Sequence, residues 1–239
     1  MQLLVSVTDA QEATTAARGG ADVIDVKDPA AGALGCPALG VVRAVRAAIA
    51  PALPVSVALG DGPWKAGDAA RAATRAVAEG ATFVKLGLRS TSAAEALIVL
   101  DEVRMALPPE ARLIVAGFAD FVRAGSPAPA DLSAIAVAAG AHGCLLDTAI
   151  KDGRGLFAWM EPQALTCFVD ACRAGTILSA LAGSLTLASL PAVGAIGPDI
   201  VGVRGAACDG DRIGGRVSVA RVEALRRALA GSHHTTSVP

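Results

Sequence analysis

The chain of 239 residues contains no tyrosine, two tryptophans and five phenylalanines, so aromatics reach only 3%. That leaves too few ring faces for a surface on which nucleic-acid bases stack. An excess of either charge is also missing: 21 Lys and Arg oppose 22 Asp and Glu, for a formal net charge of -1. Proteins that bind nucleic acid or anionic membranes need surplus cations to neutralise phosphates, so neither partner is expected. No apolar run approaches the roughly 20 residues that span a bilayer, although the mean hydropathy is +0.53. The high value comes from Ala, Val, Leu and Gly in short pieces. The opening MQLLVSVTDAQEA has no basic stretch before an apolar core and no small-residue cleavage site. No signal peptide is expected, and the cytoplasm is the expected location. The five cysteines (Cys36, Cys144, Cys167, Cys172 and Cys208) are odd in number and include no CxxC pair. They read as reduced, mostly buried thiols.

What is present is a chain that is 53% apolar and 18% charged, far too apolar to stay disordered. Short runs rich in Val, Ile and Leu predict strands near Leu3–Val7, Val23–Lys27, Pro54–Leu59, Thr82–Leu86, Leu113–Phe118, Gly143–Leu146, Thr176–Leu181 and Ile200–Val203. Ala-rich amphipathic stretches between them predict helices near Asp9–Arg18, Ala38–Ala50, Gly67–Ala78, Ser92–Ala106, Ala130–Ala139, Glu161–Ala174, Ser184–Val193 and Ser218–Ala230. Gly19-Gly20, Gly80, Gly140, Gly175 and Gly194 read as helix stops, and Asp131 and Ser218 as N-caps. The phrase Gly-Ala-X-strand recurs in GGADVIDVK, EGATFVKLG and AGAHGCLLD. Eight such units, roughly 30 residues apart, predict a single α/β domain, a (β/α)8 TIM barrel over residues 1–230. Residues 231–239 have no apolar pattern and read as a flexible tail. An open doubly wound sheet fits less well, because the first strand is followed by Thr8-Asp9-Ala10 rather than a glycine-rich turn.

In such a barrel the chemistry sits at the C-terminal ends of the strands. Only four of the basic residues are lysines, namely Lys27, Lys65, Lys85 and Lys151. Lys27 ends VIDVK, Lys85 lies within TFVKLG, and Lys151 follows the sixth predicted strand. Alternation along a strand puts Asp25 and Lys27 on one face and Phe83, Lys85 and Gly87 on one face. Both lysines then point into the barrel, with Asp147 entering from the end of the sixth strand. An amine buried beside another cation has its pKa lowered, and a neutral amine attacks carbonyls. Asp25 and Asp147 are placed to move protons. At the ends of the last two strands, Gly183-Ser184 and Arg204-Gly205-Ala206 predict a phosphate-binding corner of exposed backbone N–H groups with one arginine. Lys65 reads as a rim residue and His142 as structural, and whether Asp120 faces the site is left open by the sequence. Asp209, Asp211 and Arg212 read as a polar loop that covers the site or meets a neighbouring subunit. No cluster has metal-ligand spacing.

The segments GGADVIDVKDP, GALG, FVKLGL, LLDTAIKDGRGLF and DIVGVRGAAC resemble the (5-formylfuran-3-yl)methyl phosphate synthase family, also called 4-(hydroxymethyl)-2-furancarboxaldehyde phosphate synthase. The resemblance runs from Leu3 to about Leu229. It implies a barrel enzyme of methanofuran biosynthesis, a lyase that condenses two molecules of glyceraldehyde 3-phosphate with loss of phosphate and water. It implies catalytic roles for Asp25, Lys27, Lys85, Asp147 and Lys151, with Lys27 forming a Schiff base and no metal or organic cofactor. Read from the residues alone, Lys85 competes with Lys27 as the imine former. A class I aldolase or sugar-phosphate isomerase on the same barrel stays open, as does a non-enzymatic phosphometabolite-binding protein. Composition leaves the oligomeric state open, a homo-oligomer being one outcome.

Overall fold

The Val-, Ile- and Leu-rich runs form the eight parallel strands of a closed barrel: β1 (Gln2–Val7), β2 (Val23–Val26), β3 (Val55–Gly60), β4 (Phe83–Gly87), β5 (Arg112–Phe118), β6 (Gly143–Asp147), β7 (Leu178–Leu181) and β8 (Ile200–Val203). Each strand pairs with its sequence neighbour, and β8 closes on β1. The computed structural model describes residues 1–231. Its helices are α1 (Ala10–Arg18), α2 (Leu39–Ala48), α3 (Asp68–Ala78), α4 (Ala93–Ala106), α5 (Phe121–Ala124), α6 (Pro129–Ala138), α7 (Pro162–Ala174), α8 (Leu190–Ile196) and α9 (Val219–Gly231). A small antiparallel ribbon, β9 (Cys208–Asp209) with β10 (Arg216–Val217), lies between β8 and α9. Among the described residues no helix is long and apolar enough to cross a membrane.

Strand alternation divides the apolar residues into two layers. Leu3, Val5, Ile24, Val26, Val84, Leu86, Leu113 and Val115 face the helices in one continuous shell. Ala58, Phe83, Ile114, Ala116, Leu145, Ala180 and Ile200 form a second, smaller cluster. Several of these are alanines, so the middle of the barrel is not filled to its mouth. The register Ser6–Asp25–Ser56 runs across β1, β2 and β3 as a polar row inside that apolar wall.

Local chemistry accounts for the boundaries. Asp9 caps α1 by accepting the Glu12 N–H at 2.9 Å, and Ser92 with Glu95 forms a reciprocal capping box on α4. Four expectations are corrected. Asp131 is not an N-cap, because Pro129 starts α6 and places Asp131 in its first turn. The helix expected from Ser184 begins only at Leu190, after a 3-10 turn over Leu187–Ser189, because Ser184 adopts a left-handed φ of 52°. Gly194 lies inside α8, and its stop is Gly197 at φ 71°. Gly231 closes α9 rather than opening a tail; the remainder of the expected tail, with His233 and His234, lies outside the described residues.

The β8 end is locked to α1 by a buried ion pair between Arg204 and Glu12, both almost inaccessible. Glu12 also accepts the Thr8 N–H at 2.9 Å and the Val217 N–H at 3.2 Å. Breaking a buried pair leaves an uncompensated charge, which costs about 3–5 kcal/mol. Glu12→Ala is expected to lower unfolding stability by that amount in urea titrations, whereas Asp101→Ala, which removes the exposed partner of Arg104, leaves the midpoint nearly unchanged.

Candidate active site

A cavity of about 290 Å³ opens at the C-terminal ends of the strands. Its polar lining includes Ser6, Asp25, Lys27, Ser56, Lys85, Asp147, Lys151, Arg204 and Arg212. The three lysines and two aspartates singled out from the sequence therefore meet in one place. Asp25 and Lys85 come from the inward faces of β2 and β4, one strand apart, and Lys27 stands just beyond the end of β2. Asp147 ends β6, and Lys151 lies four residues on, in the following loop.

Two ion pairs organise the charges. Lys85 Nζ lies 2.6 Å from Asp25 Oδ1, and Ser6 donates its hydroxyl to Asp25 Oδ2 at 2.8 Å. Lys151 Nζ lies 2.5 Å from Asp147 Oδ1 and donates to the Thr148 hydroxyl at 3.0 Å. Burial pushes the Asp25 carboxyl upward, but Lys85 and Lys27 outweigh it and hold the group below the ordinary carboxylate range. Asp147 behaves alike, with Lys151 and Lys27 outweighing burial. Both are anions ready to accept a proton.

Lys27 differs from its neighbours. Its Nζ donates to the Ala33 carbonyl at 3.2 Å, and among the described residues no carboxylate lies within ion-pair distance of it. Burial is the largest influence and lowers its pKa from 10.5 to about 8; Asp147 and Asp25 pull it back up, while Lys85 and Lys151 push it further down. Of the three lysines, Lys27 is thus the one held by a backbone carbonyl instead of a carboxylate. The Ser56 hydroxyl, 1% exposed and on the cavity wall, has no hydrogen-bond partner. Nothing in the sequence beyond the strand register marks it.

The loops that carry this chemistry are held by carboxylates from neighbouring strands. Asp61, just past β3, accepts the N–H groups of Ala33 at 3.0 Å and Leu34 at 2.9 Å, fixing the loop whose carbonyl meets Lys27. Asp120, past β5, accepts those of Ala149 at 2.6 Å and Ile150 at 3.0 Å, fixing the loop that carries Lys151. Asp120 therefore positions a site residue instead of lining the cavity.

At the corner after β7 and β8, Gly183 and Ser184 both have positive φ, 96° and 52°. A non-glycine residue held there stores about 1–3 kcal/mol of strain. The N–H groups of Gly183, Ser184, Gly205 and Ala206 donate to no protein acceptor among the described residues, and all four residues line the cavity. Unpaired backbone donors gathered in this way suit an anion. The expectation that the Arg204 side chain serves this corner is corrected. Its Nε donates to Arg212 O at 3.1 Å, Nη1 to Ser6 O at 3.1 Å and to Glu12, and Nη2 to Glu12 and to Gly215 O, each at 3.2 Å. All five guanidinium hydrogens are committed, so Arg204 ties the corner together and has no donor left for a further acceptor.

The remaining features fall away from the cavity. Lys65 is exposed. His142, at the start of β6, accepts the Leu113 N–H at 3.3 Å. All five cysteines are free; Cys144, Cys172 and Cys208 are buried, Cys36 and Cys167 exposed. Among the described residues no group of three His, Cys, Asp or Glu side chains is placed to hold a metal ion.

Solved structures share the architecture at low identity. The 3-hexulose-6-phosphate synthase of Salmonella typhimurium superposes with a TM-score of 0.70 at 15% identity, over 98% of this chain and 100% of that one. Phosphoribosyl anthranilate isomerase from Thermus thermophilus gives 0.63 at 18% identity, over 97% and 99%. These likenesses carry the barrel alone. In sequence, the chain is 42% identical over 233 residues to the (5-formylfuran-3-yl)methyl phosphate synthase of Methanothermobacter thermautotrophicus, covering 96% of this chain and 99% of that protein. It is 43% identical over 222 residues to the enzyme of the same name from Methanococcus maripaludis, covering 91% and 94%. The family model described as 4-HFC-P synthase matches residues 3–226. A match of that extent, on a barrel whose mouth gathers the lysines and aspartates of the matching motifs, places the chain in the (5-formylfuran-3-yl)methyl phosphate synthase family.

Proposed function

We propose that the protein condenses two molecules of glyceraldehyde 3-phosphate into (5-formylfuran-3-yl)methyl phosphate through an imine on Lys27. The observation that carries this reading is the isolation of the Lys27 amine from any carboxylate partner, in a site where Lys85 and Lys151 are paired. The neutral amine adds to a triose carbonyl, and loss of water gives the imine. The protonated imine acidifies the adjacent C–H, and Asp25 or Asp147 accepts that proton. The resulting carbon nucleophile attacks the aldehyde of the second triose. Elimination of one phosphate and of water, with cleavage of the C–N bond that returns the Lys27 amine, then yields the aromatic ring, while the second phosphate stays on the product. Lys85 and Lys151 stabilise developing negative charge. The backbone donors at Gly183, Ser184, Gly205 and Ala206 hold a substrate phosphate.

Borohydride reduction in the presence of glyceraldehyde 3-phosphate is expected to trap a covalent adduct on Lys27, located by peptide mass. Lys27→Arg keeps the charge but removes the nucleophile, so turnover, read as furan-aldehyde absorbance with phosphate release, falls by on the order of 10³-fold in a folded protein. Near-wild-type turnover, or an adduct on Lys85 instead, overturns the assignment. Triose interconversion without a new chromophore makes the protein an isomerase.

The pH dependence has a definite sign. The Lys27 pKa is lowered, so the reactive amine accumulates as pH rises through about 8. kcat/KM is expected to climb from pH 6 toward a plateau above that value, and a flat profile between pH 6 and 9 contradicts a titrating nucleophile.

A further inference from the structure

The cavity lining contains five cationic side chains, Lys27, Lys85, Lys151, Arg204 and Arg212, against two carboxylates, Asp25 and Asp147. Lys85 and Lys151 are paired with those carboxylates, and Arg204 is paired behind the wall with Glu12. Lys27 is poised to lose its charge. Arg212 cannot lose its charge, since a guanidinium stays protonated, and among the described residues no carboxylate lies within ion-pair distance of it. It is half-buried; burial pushes its pKa down, and Asp147 and Asp61 oppose that push only from a distance.

The geometry of Arg212 is that of a strap. Its residue follows β9, its backbone carbonyl accepts from Arg204 Nε, and its guanidinium reaches across the mouth to the loop after β2. There Nη1 donates to Pro29 O at 3.0 Å and Nη2 to Gly32 O at 3.2 Å. These are neutral acceptors, and they leave the Nε–H and one hydrogen on each terminal nitrogen unused. The strap itself is shaped by Asp211, which accepts the N–H groups of Ile213 and Gly214 at 2.7 Å each. The side chain thus starts beside Gly205, and its guanidinium ends against the loop after β2.

We propose that Arg212 is the receptor for a second phosphate, that of the other triose. The inference rests on the two-triose reading above, which requires two phosphates in one cavity, whereas the backbone corner accommodates one. A charged fork with unused donors, and no counter-ion of its own, supplies the other. The residue is a binding group: it orients the second triose over the Lys27 side of the barrel and takes no part in proton transfer.

The test is titration of inorganic phosphate into unreacted wild-type protein, Arg212→Gln and Arg212→Lys, followed by substrate kinetics and borohydride trapping. Arg212→Gln is expected to weaken phosphate binding and to raise the KM for glyceraldehyde 3-phosphate, each by about tenfold or more, with a smaller effect on kcat. Arg212→Lys, which keeps a point charge and serves as the folded control, shows a smaller loss in both. Unchanged phosphate affinity and KM in Arg212→Gln overturn the proposal, as does a wild-type protein that binds no phosphate. A fall in kcat alone also overturns it, because that is what a merely structural strap would produce. The two readings separate cleanly. Weakened phosphate binding in Arg212→Gln without any borohydride adduct in the wild type sustains the anion receptor while the imine fails. An adduct on Lys27 with unaltered phosphate binding in the variant does the reverse.

Discussion

Two buried carboxylates serve three lysines, of which Lys27 and Lys85 are buried and Lys151 is half-buried. Asp25 takes Lys85 and Asp147 takes Lys151, each at salt-bridge distance, and Lys27 stands between them with only a backbone carbonyl. An ammonium group in an apolar barrel is costly unless it is paired or neutral. Pairing everything would have given an inert network, and pairing nothing would have prevented folding. The uneven count does neither: it stabilises the carboxylates as anions and leaves one amine close to neutrality. Base and nucleophile are consequently both present near pH 8, which an isolated aspartate and lysine in water would not achieve.

That charge arrangement depends on backbone that does not wander. Asp61 and Asp120 use one device at two places, a carboxylate from one strand end accepting two successive N–H groups of an adjacent loop. Each bond is modest, yet hydrogen bonds to a charged group contribute about 1.5–3 kcal/mol. Their effect is to fix Ala33 against Lys27 and the approach to Lys151 before substrate arrives, so less ordering remains to be done on binding.

Much of this was legible in the sequence because it follows from periodicity. Alternation along VIDVK and TFVKLG sent Asp25 and Lys85 inward, and they meet at 2.6 Å. The eight-unit repeat gave the barrel, because strands buried on both faces are continuous apolar runs separated by helix stops. Which of Lys27 and Lys85 lacks a carboxylate partner was out of reach, since that turns on which amine a carboxylate touches across the barrel. Arg204 was misjudged for a related reason. RGAAC at a strand end looks like a phosphate grip, but the fold supplies Glu12 from the far end of the chain to occupy it. The polar loop at Arg212 reaches Pro29 and Gly32, a separation no local pattern encodes.

The Arg204–Glu12 lock joins residues 192 positions apart, and the ribbon at β9 and β10 reinforces it through Val217. Without β8, both β1 and β7 therefore lack a partner along one edge. The last segment shuts the seam and brings with it Gly205, Ala206 and the strap across the mouth, whereas Gly183 and Ser184 precede it. A chain cut before β8 thus keeps Lys27 but lacks the Gly205, Ala206 and Arg212 side of the cavity wall. The complete wall around the Lys27 amine is in this way confined to finished molecules.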